Sequence, residues 1–200
     1  MMPSDSVYGG WAASGEIDIM EARGRLPGET GGTLHYGAAW PNNKYTGASY
    51  YFPEGQSISS DFHTYTVEWE PGEFRWYVDG NLFQTQNNWS TTNGEEKYAF
   101  PAPFDQNYHL ILNLAIGGTF DGGLTPDDSM LPAQMEVDYV KVYELTSRPY
   151  KTPMEPSTPV EPLPAGARQP DATGNLVMDV DYTNGIKDNA EGVDADYGDI

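Results

Sequence analysis

The chain contains no cysteine, which excludes disulfides, thiolate nucleophiles and zinc-thiolate centres. Cations are scarce as well: ten Lys and Arg stand against thirty Asp and Glu in 200 residues, a formal net charge of −20. Nucleic acid and anionic membrane surfaces are gripped by clustered Lys and Arg, so both are disfavoured as partners. No apolar run approaches the roughly 20 residues of a spanning helix. No stretch repeats with the period of a convincing amphipathic helix, and there is no internal repeat.

What is present points to β-structure. Fourteen Tyr, five Trp, 22 Gly and 16 Pro make an aromatic, turn-rich mixture that suits strands and disfavours a helical bundle. Seven of the sixteen prolines lie within residues 149–170. The chain therefore divides into a strand-rich region, 1–146, a Pro-rich linker, 147–170, and an acidic tail, 171–200. Thirty residues are too few for an independent core. Because GNLVMDVDY alternates like a strand, the tail is read as the start of a second module.

Within the first region, strands are predicted over 33–39, 63–69, 74–78, 81–85, 109–116 and 135–143. Glu70-Pro71-Gly72-Glu73 and Asp79-Gly80 read as hairpin turns. Over 109–116, Leu110, Leu112 and Leu114 are expected to face the core, with His109, Ile111, Asn113 and Ala115 on the other face. The resulting fold class is all-β, a two-sheet β-sandwich.

The most informative segment is Gly15-Glu16-Ile17-Asp18-Ile19-Met20-Glu21, three acids within six residues of an otherwise buried-looking strand. In a regular strand Glu16 and Asp18 share a face and Glu21 points away. One extra residue restores the alignment, so a β-bulge is predicted between Asp18 and Glu21. Glu16 and Glu21 then lie roughly 13 Å apart along the strand. Side chains leaning toward each other approach the roughly 5 Å carboxyl separation of retaining glycosidases. Asp18 between them couples to both, so that one glutamate ionises while the other keeps its proton. On spacing alone, a solvated acidic edge or a calcium site remains an alternative.

GEIDIMEARG resembles the active-site strand of glycoside hydrolase family 16, and most closely its laminarinases, the endo-β-1,3-glucanases. TLHYG (33–37), DFHTYTVEWEPGEFRWYVDG (61–80), FDQNYHLILNLAIGG (104–118) and VDYVKVYE (137–144) are similar to the family's later strands, in the family's order. The resemblance implies a concanavalin-like β-jelly-roll, here lacking its N-terminal part, and hydrolysis with retained anomeric configuration. MMP (1–3) is similar to the end of a family strand, so Met1 is read as an interior position and the isolated fragment is expected to be inactive.

Carried over by motif position, Glu16 is implied as nucleophile, Glu21 as general acid/base and Asp18 as the assisting aspartate. Trp11 matches a tryptophan that meets the sugar near the cleaved bond, and His35 and Asn113 match polar cleft positions. Trp40 is a further sugar-platform candidate. Each has a plain alternative as a packing or structural residue. Asp138 matches a ligand of a structural calcium in many family members. No cofactor is implied for catalysis. The expected substrate is a β-1,3-glucan, with agar or carrageenan as alternatives, and the rival reading is a non-catalytic glucan-binding protein. Export, to the medium, periplasm or cell surface, follows from where such polysaccharides lie, and a monomer is expected. A carbohydrate-binding role for the tail module fits the same setting.

Overall fold

The computed structural model describes residues 1–154 and the strand at 175–181. Nine strands precede the tail: β1 (Met2–Pro3), β2 (Glu16–Glu21), β3 (Glu29–Gly37), β4 (Asn43–Tyr51), β5 (Tyr65–Glu70), β6 (Glu73–Val78), β7 (Asn81–Gln86), β8 (Tyr108–His109) and β9 (Tyr139–Glu144). β10 (Asn175–Asp181) is the strand expected in the tail, and it pairs antiparallel with β9. The rest of the predicted linker and second module, 155–174 and 182–200, lies outside the described residues.

Two three-stranded antiparallel sheets, β2-β3-β4 and β5-β6-β7, carry the site and the core. Along β3, Thr30, Gly32, Leu34 and Tyr36 are buried while Gly31, Thr33 and His35 are half-exposed. That alternation sends one face of the sheet to the core and the other to solvent. The core face packs on β6 and β7 through Ile17, Leu34, Tyr36, Phe74 and Trp76, with Trp89 and Phe104 closing the cluster. Gly32 permits the closest approach, since a Cβ there would lie 2.4 Å from Trp76.

Three polar side chains tie the sheets together, one for each strand of the outer sheet. Trp76 Nε1 donates to Asp18 O (3.0 Å), Gln84 Nε2 to Gly32 O (3.0 Å) and Gln86 Nε2 to Thr46 O (2.7 Å). Buried donors at an inter-sheet face need such acceptors. The Asp79-Gly80 turn forms as predicted, with φ of 50° and 76°, and joins β6 to β7.

Two expectations need correction. The predicted strand 109–116 reduces to β8, because its partner β1 offers only Met2 and Pro3. Beyond His109 the segment has no strand partner among the described residues, and Leu110, Leu112 and Leu114 are exposed rather than core. Conversely, β4 was not foreseen. Its sequence NKYTGASYY lacks apolar alternation because it is the edge strand and residues 44–49 are exposed on both faces.

Candidate active site

The predicted bulge is present. β2 pairs with β3 as Glu16↔His35, Ile17↔Leu34 and Asp18↔Thr33, and then Glu21↔Gly31, three steps on β2 against two on β3. The extra residue turns Glu21 onto the face of Glu16 and Asp18. Backbone groups at the bulge are satisfied from outside the ladder: Asp18 O by Trp76, and Glu21 O by the Thr30 hydroxyl at 3.1 Å.

Each carboxylate has its own partner. The Trp11 indole N–H donates to Glu16 Oε2. The Thr33 hydroxyl bonds Glu21 Oε2 at 2.9 Å. His35 Nε2 lies 3.3 Å from Asp18 Oδ2, an ion-pair approach. Burial pushes the Glu16 carboxyl above its ordinary range and Asp18 pushes it further, against the opposing pull of the Trp11 bond and His35. Glu21 is raised by the same two causes, with Thr33, His35 and Arg23 opposing. Burial works against the His35 cation, but its pairing with Asp18 and the nearby Glu16 and Glu21 outweigh that and raise its pKa. The site is thus a cluster of three acids with His35 paired to the middle one and Arg23 near Glu21.

The loop before β2 is pinned so that Trp11 reaches Glu16. Ser14 Oγ donates to Gly9 O (2.6 Å) and accepts from Tyr8 N (3.0 Å), while Tyr108 Oη donates to Ser14 O (2.8 Å). Thr91 Oγ1 sits 2.5 Å from Ala13 O and 2.6 Å from Gly37 O, linking this loop to the end of β3. Trp40 is tied to the same place by its backbone N–H, which donates to Trp11 O (2.7 Å), and its ring is 71% exposed.

The structure therefore gathers Glu16, Asp18, Glu21, Trp11 and His35, with Trp40 alongside. Asn113 falls in the exposed stretch after β8, and no hydrogen bond among the described residues joins it to the cluster. Asp138 is half-buried just before β9. Among the described residues no group of three or more His, Asp or Glu side chains is placed to hold a metal. Sequence reasoning missed Thr33 and Tyr45. Tyr45 packs against His35 with ring centroids 5.7 Å apart and planes tilted by 36°, and Trp11 packs against the same ring at 5.4 Å with a tilt of 41°. The signal for both lay in β4 and in the β3 register, neither of which the sequence pattern specified.

An all-β scaffold presenting a glutamate pair with an aspartate between them on one open face has the layout of a glycosidase site. The model of the glycosyl hydrolases family 16 matches residues 2–141, and the chain belongs to that family. It is 55% identical over 146 residues to glucan endo-1,3-beta-glucosidase A1 of Niallia circulans, covering 72% of this chain and 21% of that protein. It is 41% identical over 149 residues to the glucan endo-1,3-beta-glucosidase of Cryptopygus antarcticus, covering 70% of this chain and 53% of that protein. The X-ray structure of the laminarinase from Rhodothermus marinus superposes with a TM-score of 0.53 at 38% identity, over 66% of this chain and 52% of that one. The chain thus spans about half the length of two of these relatives and about a fifth of the third. Among the described residues no helix is long and apolar enough to cross a membrane.

Proposed function

We propose that this chain forms part of a retaining endo-glycosidase that hydrolyses β-1,3-glucan. The observation that carries the reading is the bulge, which brings Glu16, Asp18 and Glu21 onto one face, each with a separate partner.

The partners also sort the roles. An indole N–H can only donate, so Trp11 favours the ionised form of Glu16, as a nucleophile requires. A hydroxyl donates or accepts, so Thr33 serves Glu21 whether it is charged or protonated, as an acid that turns base requires. In the first step the Glu16 carboxylate attacks the anomeric carbon while Glu21 gives its proton to the departing glycosidic oxygen. In the second, Glu21 takes a proton from water, the water oxygen attacks the anomeric carbon, and Glu16 leaves as carboxylate. Burial and Asp18 raise the Glu21 pKa, which helps it hold the first proton.

The local charge favours a neutral polysaccharide over a sulfated one. The side-chain cations close to the acids are His35 and Arg23, and both are already paired, with Asp18 and with Glu29. A sulfated carrageenan chain would meet mostly negative potential, in a molecule of net charge −20. Laminarin therefore fits better than carrageenan. Export of the enzyme is part of this proposal, since its substrate lies outside cells.

The test is reducing-sugar release from laminarin, lichenan, agarose and carrageenan by the protein carrying this chain, with product anomers followed by NMR. Laminarin cleavage giving the β-anomer first supports the reading. The α-anomer first refutes retention. Binding of laminarin with cleavage of none of the four would establish the glucan-binding alternative instead.

A further inference from the structure

The register of β2, β3 and β4 lays three rungs across the open face. They read Glu16–His35–Tyr45, Asp18–Thr33–Gly47 and Glu21–Gly31–Ser49. Side chains paired across antiparallel strands stand on the same face, so each rung is a row running perpendicular to the strands. The first row is tall and aromatic, and Trp11 extends it by packing against His35 at a tilt. The middle row falls to a glycine. The third row is short, with Gly31 and Ser49 beyond Glu21.

The result is a trough that starts at the acids on β2 and leads over β3 to β4, about 10 Å at two strand spacings. Its floor is Thr33 and Gly47. Its first bank is Trp11, His35 and Tyr45. Arg23 and Phe120 stand at its Glu21 side, with Tyr45 and Gly47 lining the same cavity. Phe120 is held there by Arg23, whose guanidinium carbon lies 5.2 Å from the ring centroid, and by an ion pair between Arg25 and the adjacent Asp121.

Gly47 has two consequences. A Cβ at this position would come within 2.8 Å of Thr33 Oγ1, so glycine leaves that hydroxyl free to reach Glu21. It also leaves a gap in front of Tyr45, which keeps 71% of its surface exposed although its ring packs against His35. An exposed aromatic face beside a side-chain-free floor, in line with the carboxylates, has the shape to receive an apolar sugar face.

Resting on the glycosidase reading above, we infer that Tyr45 is a substrate-positioning residue: with Phe120 it holds a sugar ring over Gly47, beyond the ring that is cleaved. The subsite ties turnover to chain length, because only a substrate long enough to cross β3 reaches it. The ligand is a neutral hexose ring within a β-glucan chain.

The experiment compares the intact protein with Tyr45→Ala, Tyr45→Phe and Phe120→Ala on laminarin and on an activated aryl β-glucoside too short to reach β4. Tyr45→Ala is expected to lower the ratio of kcat/KM on laminarin to that on the short substrate about ten-fold, the larger part through KM. Tyr45→Phe, which keeps the ring, restores the ratio, and Phe120→Ala gives a smaller loss in the same direction. Thermal unfolding checks that the exposed ring is not structural, with Tm expected unchanged. Equal losses on both substrates, or no loss on either, overturn the inference while leaving the glycosidase reading intact. Should the unsubstituted protein hydrolyse no glucan, that reading fails by itself. Laminarin affinity in native gels then decides on Tyr45: retardation lost in Tyr45→Ala supports the subsite, and retardation kept refutes it.

Discussion

Two segments of this chain carry acids at identical spacing: Glu16, Asp18 and Glu21 on β2, and Glu68, Glu70 and Glu73 on the β5–β6 hairpin. In the second set, the turn at Pro71-Gly72 does what the bulge does in the first, bringing the third acid back beside the other two. The sets differ in their cations. Arg75, 2% exposed, bonds Glu68 at 2.5 Å and also bonds Glu70 and Glu73. Arg148 adds a bidentate pair to Glu70 at 2.5 and 2.7 Å, and Lys151 Nζ reaches Glu73 at 2.6 Å. Burial alone would raise the Glu70 pKa, but the bonds from Arg148 and Arg75 prevail and lower it to about 2. On β2, burial and mutual repulsion prevail, and both glutamates are raised. Spacing therefore makes a cluster, and countercharge decides whether it is an anchor or a site.

The two clusters should differ most in activity. Glu16→Gln should reduce laminarin hydrolysis by at least about 10³-fold, while Glu70→Gln should leave the kcat of the folded fraction near that of the parent. Glu21→Gln should lose as much on laminarin but far less in glycosylation by an activated aryl glucoside, whose leaving group needs no proton. Rate assays normalised to folded protein distinguish these outcomes.

Stability gives the reverse ordering. Arg75→Met leaves three acids without their shared cation and should cost ~3–5 kcal/mol in urea unfolding, since one partner of a buried network is removed. Glu16→Gln should cost nothing measurable or stabilise, because it removes a buried repulsive charge.

The pH dependence sharpens the contrast, with opposite signs. The Glu70 pKa is depressed, so its contribution is present above the ordinary glutamate range and is lost as pH falls through that range toward about 2. Glu16 and Glu21 are raised, so the folded state keeps protons the unfolded chain has released, and their contribution declines as pH rises above the ordinary range through the folded values. Urea unfolding between about pH 3 and pH 8 should show Glu70→Gln flattening the acid limb and Glu16→Gln flattening the decline at higher pH.

Thr33→Val is the mildest break. It removes the bond that favours ionised Glu21, so the alkaline limb of the rate profile should move to higher pH and kcat should fall about ten-fold.

Much of the site was legible in the sequence. An acid placed five residues after another on an apolar strand is unreasonable without a bulge, and the bulge is there. The Asp79-Gly80 hairpin was readable because only a few residue types tolerate its backbone. Other features depended on long-range partners that no local pattern carries. β4 has a polar, exposed sequence and is a strand because β3 presents an edge to it. Leu110, Leu112 and Leu114 alternate like a core strand, yet β1 pairs no further than His109. Residues 148–151 sit in what reads as linker, yet they bind Glu70 and Glu73, whose acidic character was visible but whose buried Arg75 was not recognised as their centre. Tyr45 escaped notice because its meaning comes from the rung it shares with Glu16 and His35.

The two acid clusters differ in charge compensation, and carboxyl ¹³C NMR titration measures that difference, with Glu16→Gln, Glu21→Gln and Glu70→Gln assigning the resonances. Glu16 and Glu21 should titrate above the ordinary glutamate range and Glu70 near 2. Glu16 and Glu21 titrating at or below the ordinary range, with Glu70 beside them, would show that countercharge does not separate the two clusters.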